Sequence, residues 1–301
     1  MGAQNNTINN DSSQEHLENG YYRYTLLIIY SVVLLGGTVG ITLMINILKS
    51  NMRSVTTVAI LNVIVVHLFF LLTVPFRIYY YASGQWNMSQ NFCKMVSGMI
   101  HAHMYIAFTF YVIILVIRYF AFYSSRDRVE FYRKLHALVA SITVWVAVLI
   151  IVPSVLIYGY GLSQAKNGTE CFNFGVELGH AGVAALNYGI SSIIIVVSIA
   201  CTCCQAHILW RILKRYGPTT YAQQDFWAQM KSLCFVLVML VCFVPYHVFR
   251  VHYVRNREAL GQQNEVFLAL TALCCFDVFT FMGRGTYGNC NIICCDVGNT
   301  T

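Results

Sequence analysis

The chain has 301 residues, of which 57% are apolar and only 10% charged, with a formal net charge of +7. A soluble domain carries about 25% charged residues, so a water-solvated globule is excluded and most side chains must face lipid or one another. No basic run or basic–aromatic patch accompanies the positive balance, which removes nucleic acid as a partner and leaves the charge to be read as membrane orientation.

Residues 1–20 are polar and lack the apolar core of a cleavable signal peptide. We read residues 1–23 as an extracellular tail, with glycan acceptor patterns at Asn5 and Asn10. Seven apolar runs follow, near 24–48, 55–81, 92–122, 135–158, 182–213, 226–254 and 265–282. Each is long enough for a membrane-spanning helix, which needs about 20 residues. The expected fold is an all-α membrane protein, a seven-transmembrane helix bundle over residues 24–282. Pro75, Pro153 and Pro245 fall inside apolar runs and predict kinks, because proline lacks the N–H of the helical ladder. The last run is the shortest and holds Asp277. Residues 283–301 form a short cytoplasmic tail in which Cys290, Cys294 and Cys295 are candidates for palmitoylation.

The connections between runs alternate in character. One set carries Lys49 and Arg53, then Arg126, Arg128, Arg133 and Lys134, then Arg211, Lys214, Arg215 and Lys231; the other carries acceptor patterns at Asn87 and Asn167. Basic clusters belong inside and glycan acceptors outside, so both signals predict a plasma-membrane protein with an extracellular N-terminus and a cytoplasmic C-terminus. No internal repeat relates the halves of the chain, and no aligned polar pathway suggests a channel or transporter. His101 and His103, two residues apart, lie on different faces of a helix and form no catalytic pair. No enzyme activity and no cofactor is expected. Cys201, Cys203, Cys204, Cys234, Cys242, Cys274 and Cys275 sit in apolar runs and read as small core residues; Cys93 and Cys171 lie near the outer ends. No paired Cys-x-x-Cys spacing is present, so no structural zinc site is expected.

Four segments carry a resemblance: Arg53-Ser54-Val55-Thr56-Thr57, Leu72-Thr73-Val74-Pro75-Phe76-Arg77, Phe131-Tyr132-Arg133-Lys134-Leu135-His136-Ala137 and Cys242-Phe243-Val244-Pro245-Tyr246. With these the chain resembles the rhodopsin-like (class A) G-protein coupled receptors, in their purine-receptor-like branch, over residues 24–282. The resemblance implies a Cys93–Cys171 disulfide over the outer end of the bundle. It implies a heterotrimeric G protein as the intracellular partner, contacted by Arg118 and Tyr119 at the end of the third span. Pro245 becomes the pivot of the sixth helix, with Phe243 as its aromatic switch. Tyr246, His247 and Arg250 occupy ligand-contacting positions, and Arg77, His101 and Tyr105 are expected to face the same cavity. Cationic donors in an apolar cup suit an anionic extracellular ligand: an acidic lipid, a carboxylate or a nucleotide.

The chain departs from the family at points that bear on signalling. Ile117 replaces the acid that normally restrains the neighbouring arginine, His67 the aspartate of the second helix, and Ile41 the asparagine of the first. The seventh helix ends Asp277-Val278-Phe279-Thr280-Phe281, without the expected proline and tyrosine. The family's sodium cage is therefore not expected, since an imidazole does not replace a hard carboxylate ligand. A His67–Asp277 pair is expected in its place, and His67, Asp277 and Phe281 join Phe243 and Pro245 as the activation switch. The alternative readings are a constitutively active receptor or a non-signalling scaffold.

Overall fold

In the computed structural model the described residues are 2–50, 55–123, 139, 141–146, 171–172, 181–256, 260 and 263–281, and no strand occurs among them. The helices are α1 (Gly2–Ser50), α2 (Val55–Leu71), α3 (Val74–Ser83), α4 (Gln90–Tyr123), α5 (Ala181–Tyr216), α6 (Gln224–Val238), α7 (Val244–Arg255) and α8 (Gln263–Thr271). Three short irregular turns join or extend them: 3₁₀ segments at Gly217–Ala222 and Ala272–Phe281, and a π segment at Met239–Phe243. Among the described residues, five stretches are long and apolar enough to span a bilayer, within α1, α2–α3, α4, α5 and α6–α7. The fourth apolar run, with Pro153, lies outside the described residues except at 139 and 141–146, which are helical. The seventh run is not one α-helix: α8 ends at Thr271 and the chain continues as a 3₁₀ segment.

Both faces of these helices are apolar, which is what lipid requires. On α1, Leu26, Tyr30, Val33, Ile41 and Met44 are buried, while Ile28, Val32, Leu35 and Val39 form an outward stripe at helical spacing. Cys203 and Cys204 lie exposed on α5, correcting the expectation that all the apolar-run cysteines are core residues; Cys242, Cys274 and Cys275 are buried. Close packing is visible at Gly36, where an added Cβ would collide with the ring of Phe276; the bare glycine lets α1 lie against the 3₁₀ end of the seventh span.

Pro75 and Pro245, the two described prolines of those predicted to kink spans, interrupt them in different ways. Before Pro75 the ladder breaks at Leu72-Thr73, and the Thr73 amide and hydroxyl both donate to the Phe70 carbonyl, at 2.8 and 2.7 Å. Helix α3 then restarts and stops at Gly84, whose φ of 77° is the left-handed conformation that glycine adopts without a Cβ penalty. The guanidinium of Arg23 caps this end by donating to the Tyr81 and Ala82 carbonyls. In the sixth span the break precedes Pro245. The Val244 amide reaches back five residues to the Met239 carbonyl, a wide turn that accommodates the missing proline N–H.

Candidate ligand and switch sites

The Cys93–Cys171 disulfide is formed, with Cα atoms 5.9 Å apart, and it ties residues 171–172 to the start of α4. The adjacent Phe172 (φ 67°) lays its ring 4.4 Å from the Arg77 guanidinium carbon. Arg77 is fully buried. It donates to the Tyr30 hydroxyl at 3.1 Å and to the Val96 carbonyl at 3.1 Å, and stands 3.8 Å from a Glu265 carboxylate oxygen. These contacts join the first, second, third and seventh spans at the disulfide end.

Arg250 on α7 is anchored beside it. Its Nε donates to Asn187 Oδ1 at 3.1 Å and a terminal nitrogen donates to Asn264 Oδ1 at 2.7 Å. The two guanidinium groups are thus held by neighbouring residues, Asn264 and Glu265, in the first turn of α8. One turn below Arg250, His247 Nδ1 meets the Ser191 hydroxyl at 3.1 Å, and His247 Nε2 is buried without a hydrogen-bond partner among the described atoms. Tyr246 stacks edge-on against His247 with centroids 5.0 Å apart, and Tyr105 lies 6.2 Å from the same imidazole. His101, one turn from Tyr105 on α4, lies within electrostatic reach of Arg250, Arg77 and His247. The six expected ligand residues therefore gather at one end of the bundle.

Asn187, Ser191, Asn264 and Glu265 were not anticipated. Glu265 had a readable signal, since an acid at the start of an apolar run calls for a cationic partner and Arg77 is available. The asparagines had none, because an amide is unremarkable on a helix until its neighbour is known.

Deeper in the bundle, His67 Nε2 lies 3.2 Å from Asp277 Oδ1, the pairing expected from the sequence. Tyr111 donates its hydroxyl to Asp277 Oδ2 at 2.7 Å, and His67 Nδ1 faces His103 Nε2 at 2.8 Å. Since Asp277 accepts from His67, His67 Nδ1 accepts in turn from His103, giving one directed chain across three spans. Tyr111 also packs edge-on against Phe243, centroids 6.0 Å apart, and Phe243 against Phe108 at 5.8 Å. The aromatic beside the proline break is thereby in contact with the group that holds Asp277. Phe281 ends the 3₁₀ segment, and its side chain lies outside those described.

At the opposite end, Arg118 reaches from α4 to α6. A terminal nitrogen donates to the Ala228 carbonyl at 3.0 Å and to the Ser232 hydroxyl at 3.1 Å, and the guanidinium carbon lies 5.8 Å from the Phe235 ring centroid. These contacts occupy the arginine that Ile117 leaves without an adjacent acid. Tyr119 lies against Tyr123 in a tilted pair, centroids 4.8 Å apart, and packs against the small cluster of Ile208, Ile212 and Phe226. Of the glycan acceptors, Asn87 is exposed and donates to the Tyr79 hydroxyl at 3.1 Å. The side chains of Asn5 and Asn10 lie outside those described, and Asn167, Cys290, Cys294 and Cys295 lie outside the described residues.

Comparison with known proteins agrees with this geometry. The family model of the 7 transmembrane receptor (rhodopsin family) matches residues 40–279. The chain is 42% identical over 270 residues to the human protein named probable G-protein coupled receptor 141, spanning 87% of this chain and 88% of that one. It is 25% identical over 237 residues to the rat N-arachidonyl glycine receptor (75% and 70% covered). To the rat 2-oxoglutarate receptor 1 it is 26% identical over 236 residues (77% and 69% covered). An all-helical apolar chain, with the third span tied by a disulfide to residue 171 and matched through most of its length by this family, belongs to the rhodopsin family of seven-transmembrane receptors, proteins that are not enzymes.

Proposed function

We propose that this receptor binds an anionic extracellular ligand at the disulfide end and passes the signal to a heterotrimeric G protein at the Arg118 end. The observation that carries the ligand class is a charge imbalance. Among the described residues at that end, two buried guanidinium groups, Arg77 and Arg250, share a single carboxylate, Glu265. Arg77 stands against that acid, whereas the hydrogen bonds of Arg250 go to neutral amides. An uncompensated buried cation is costly, and a carboxylate or phosphate arriving beside Arg250 and His247 Nε2 relieves that cost. Two of the matched relatives are named for 2-oxoglutarate and N-arachidonyl glycine, both carboxylates, which supports the same class. Transmission follows the sixth span: ligand contact on α7 bears on the turn at Met239–Phe243, and from there on the contact between α6 and Arg118.

The basic loops and glycan acceptors support an N-terminus outside and a C-terminus inside. The grip of Ser232 and Ala228 on Arg118 favours a restrained resting state over constitutive activity or a silent scaffold.

The test is a G-protein dissociation screen at the cell surface with acidic lipids, dicarboxylates and nucleotides, in wild type and Arg250→Ala. We expect an anionic agonist to act on the wild type, and the variant to lose at least tenfold in potency while keeping surface expression, since a charge-assisted bond contributes about 1.5–3 kcal/mol. An unchanged potency removes Arg250 from the ligand site. Silence in every G-protein class at normal surface expression removes the coupling.

A further inference from the structure

The buried polar cluster at His67 holds more than a hydrogen-bonded pair. One ligand atom from each of His67, His103 and Cys274 can be chosen so that all lie within 4.8 Å of one another. A fourth donor stands among them: Cys275 Sγ is 3.6 Å from His67 Nδ1 and 3.6 Å from His103 Nε2, while Cys274 Sγ is 3.9 Å from that same His103 nitrogen. Tetrahedral zinc with ordinary Zn–N and Zn–S bonds places its ligand atoms about 3.3 to 3.8 Å apart. Three nitrogen–sulfur separations, 3.6, 3.6 and 3.9 Å, sit close to those edges. The 2.8 Å approach of the two imidazole nitrogens is tighter, so binding requires the rings to move apart.

Two further features bear on the same point. His67 turns Nδ1 toward the sulfurs and gives Nε2 to Asp277, whose second oxygen is held by Tyr111. A ligating histidine ordinarily donates its other ring N–H to a carboxylate that is itself hydrogen-bonded, and His67, Asp277 and Tyr111 have that arrangement. The charges also balance. Binding displaces the thiol protons of Cys274 and Cys275, and a divalent ion with two thiolates adds no net charge in a region where an unbalanced charge is costly.

We infer that His67, His103 and Cys274, with Cys275 at the fourth position and Asp277 orienting His67, form an intramembrane site for a borderline divalent transition-metal ion, zinc. The donor set of two imidazoles and thiolate sulfur excludes sodium, calcium and magnesium, which take oxygen. The ion would join the second, third and seventh spans at the level of Phe243. Local spacing gives no hint of it, since the ligands are drawn from three separate spans.

The experiment uses the full chain, expressed in zinc-replete medium and purified in detergent micelles, with bound metal measured by mass spectrometry after dialysis against a weak chelator. We expect about one zinc per receptor in wild type. The content should fall at least fivefold in His103→Ala and Cys274→Ala and stay unchanged in Cys242→Ala, a buried cysteine outside the donor set. Cobalt exchanged into wild type should give a near-ultraviolet thiolate-to-cobalt absorption that Cys274→Ala lacks. Wild-type receptor with no retained zinc overturns the inference whatever the variants do, so a variant that folds poorly does not shield it. Equal zinc in wild type and both variants overturns it as well.

Discussion

Arg118 is held by α6, and the most direct prediction concerns Ser232→Ala. The substitution removes one of two hydrogen bonds from the same guanidinium nitrogen, the 3.1 Å contact to Ser232, and leaves the 3.0 Å bond to the Ala228 carbonyl in place. Ser232 is fully buried, so water does not replace the lost hydroxyl at its own position. A hydrogen bond to a charged group contributes about 1.5–3 kcal/mol when fully enclosed. Arg118 is only half-buried and keeps its second acceptor, which brings the expected loss to about 1–1.5 kcal/mol. If the bond exists only in the resting arrangement, that loss moves the resting-to-active equilibrium by about five- to tenfold. The assay is ligand-free G-protein dissociation in cells, normalised to receptor at the surface. Ser198→Ala is the control, since Ser198 is equally buried on α5 but its hydroxyl has no hydrogen-bond partner among the described atoms. A rise of severalfold in basal signal for Ser232→Ala alone is expected. Equal basal signal in wild type and Ser232→Ala, at matched surface levels, would refute the idea that α6 restrains Arg118.

Three other perturbations follow from the packing. Gly36→Val should lower the melting temperature of solubilised receptor by an overpacking cost of about 1–3 kcal/mol, because its Cβ meets the Phe276 ring; Gly189→Ala, in open space, should leave the melting temperature unchanged or raise it. Cys171→Ser should lower thermal stability by up to about 4.5 kcal/mol, the chain-entropy limit for a closed loop of this separation, read as loss of surface receptor and early melting. A double-mutant cycle of His67→Ala and Asp277→Ala should give a coupling of about 1 kcal/mol or more in melting stability, and independent losses would show that the 3.2 Å contact carries no energy.

Hydropathy and the positive-inside pattern made the spans readable, and the matched family supplied the disulfide and the gathering of Arg250, His247 and Tyr246. What the sequence did not yield was the rotation of each helix about its axis. In a soluble helix the polar side marks what faces water; here Ile28, Val32 and Leu35 face lipid and Leu26, Tyr30 and Val33 face protein with the same chemistry. His103 therefore drew attention only as a failed partner for His101, although it points into the bundle against His67. Cys274 and Cys275 read as small core residues for the same reason. The 3₁₀ course of Ala272–Phe281, which packs against α1, was also unreadable, since its residues are ordinary helix and strand formers. Arg118 shows the complementary case: the missing acid at Ile117 was plain, while its substitute, a serine 114 residues away in another span, was not.

The π segment at Met239–Phe243 has a geometric consequence for the receptor as a lever. A single wide turn adds about one residue to an α-helix, and one residue is about 100° of azimuth. The part of the sixth span that carries Ser232 and Phe235 is thus out of phase with the part that carries His247 and Arg250, and each half is aimed independently at its own partners. Closing that turn into regular α-helix would swing one half around the other without bending the axis. The sixth span has a built-in place to twist as well as a place to tilt.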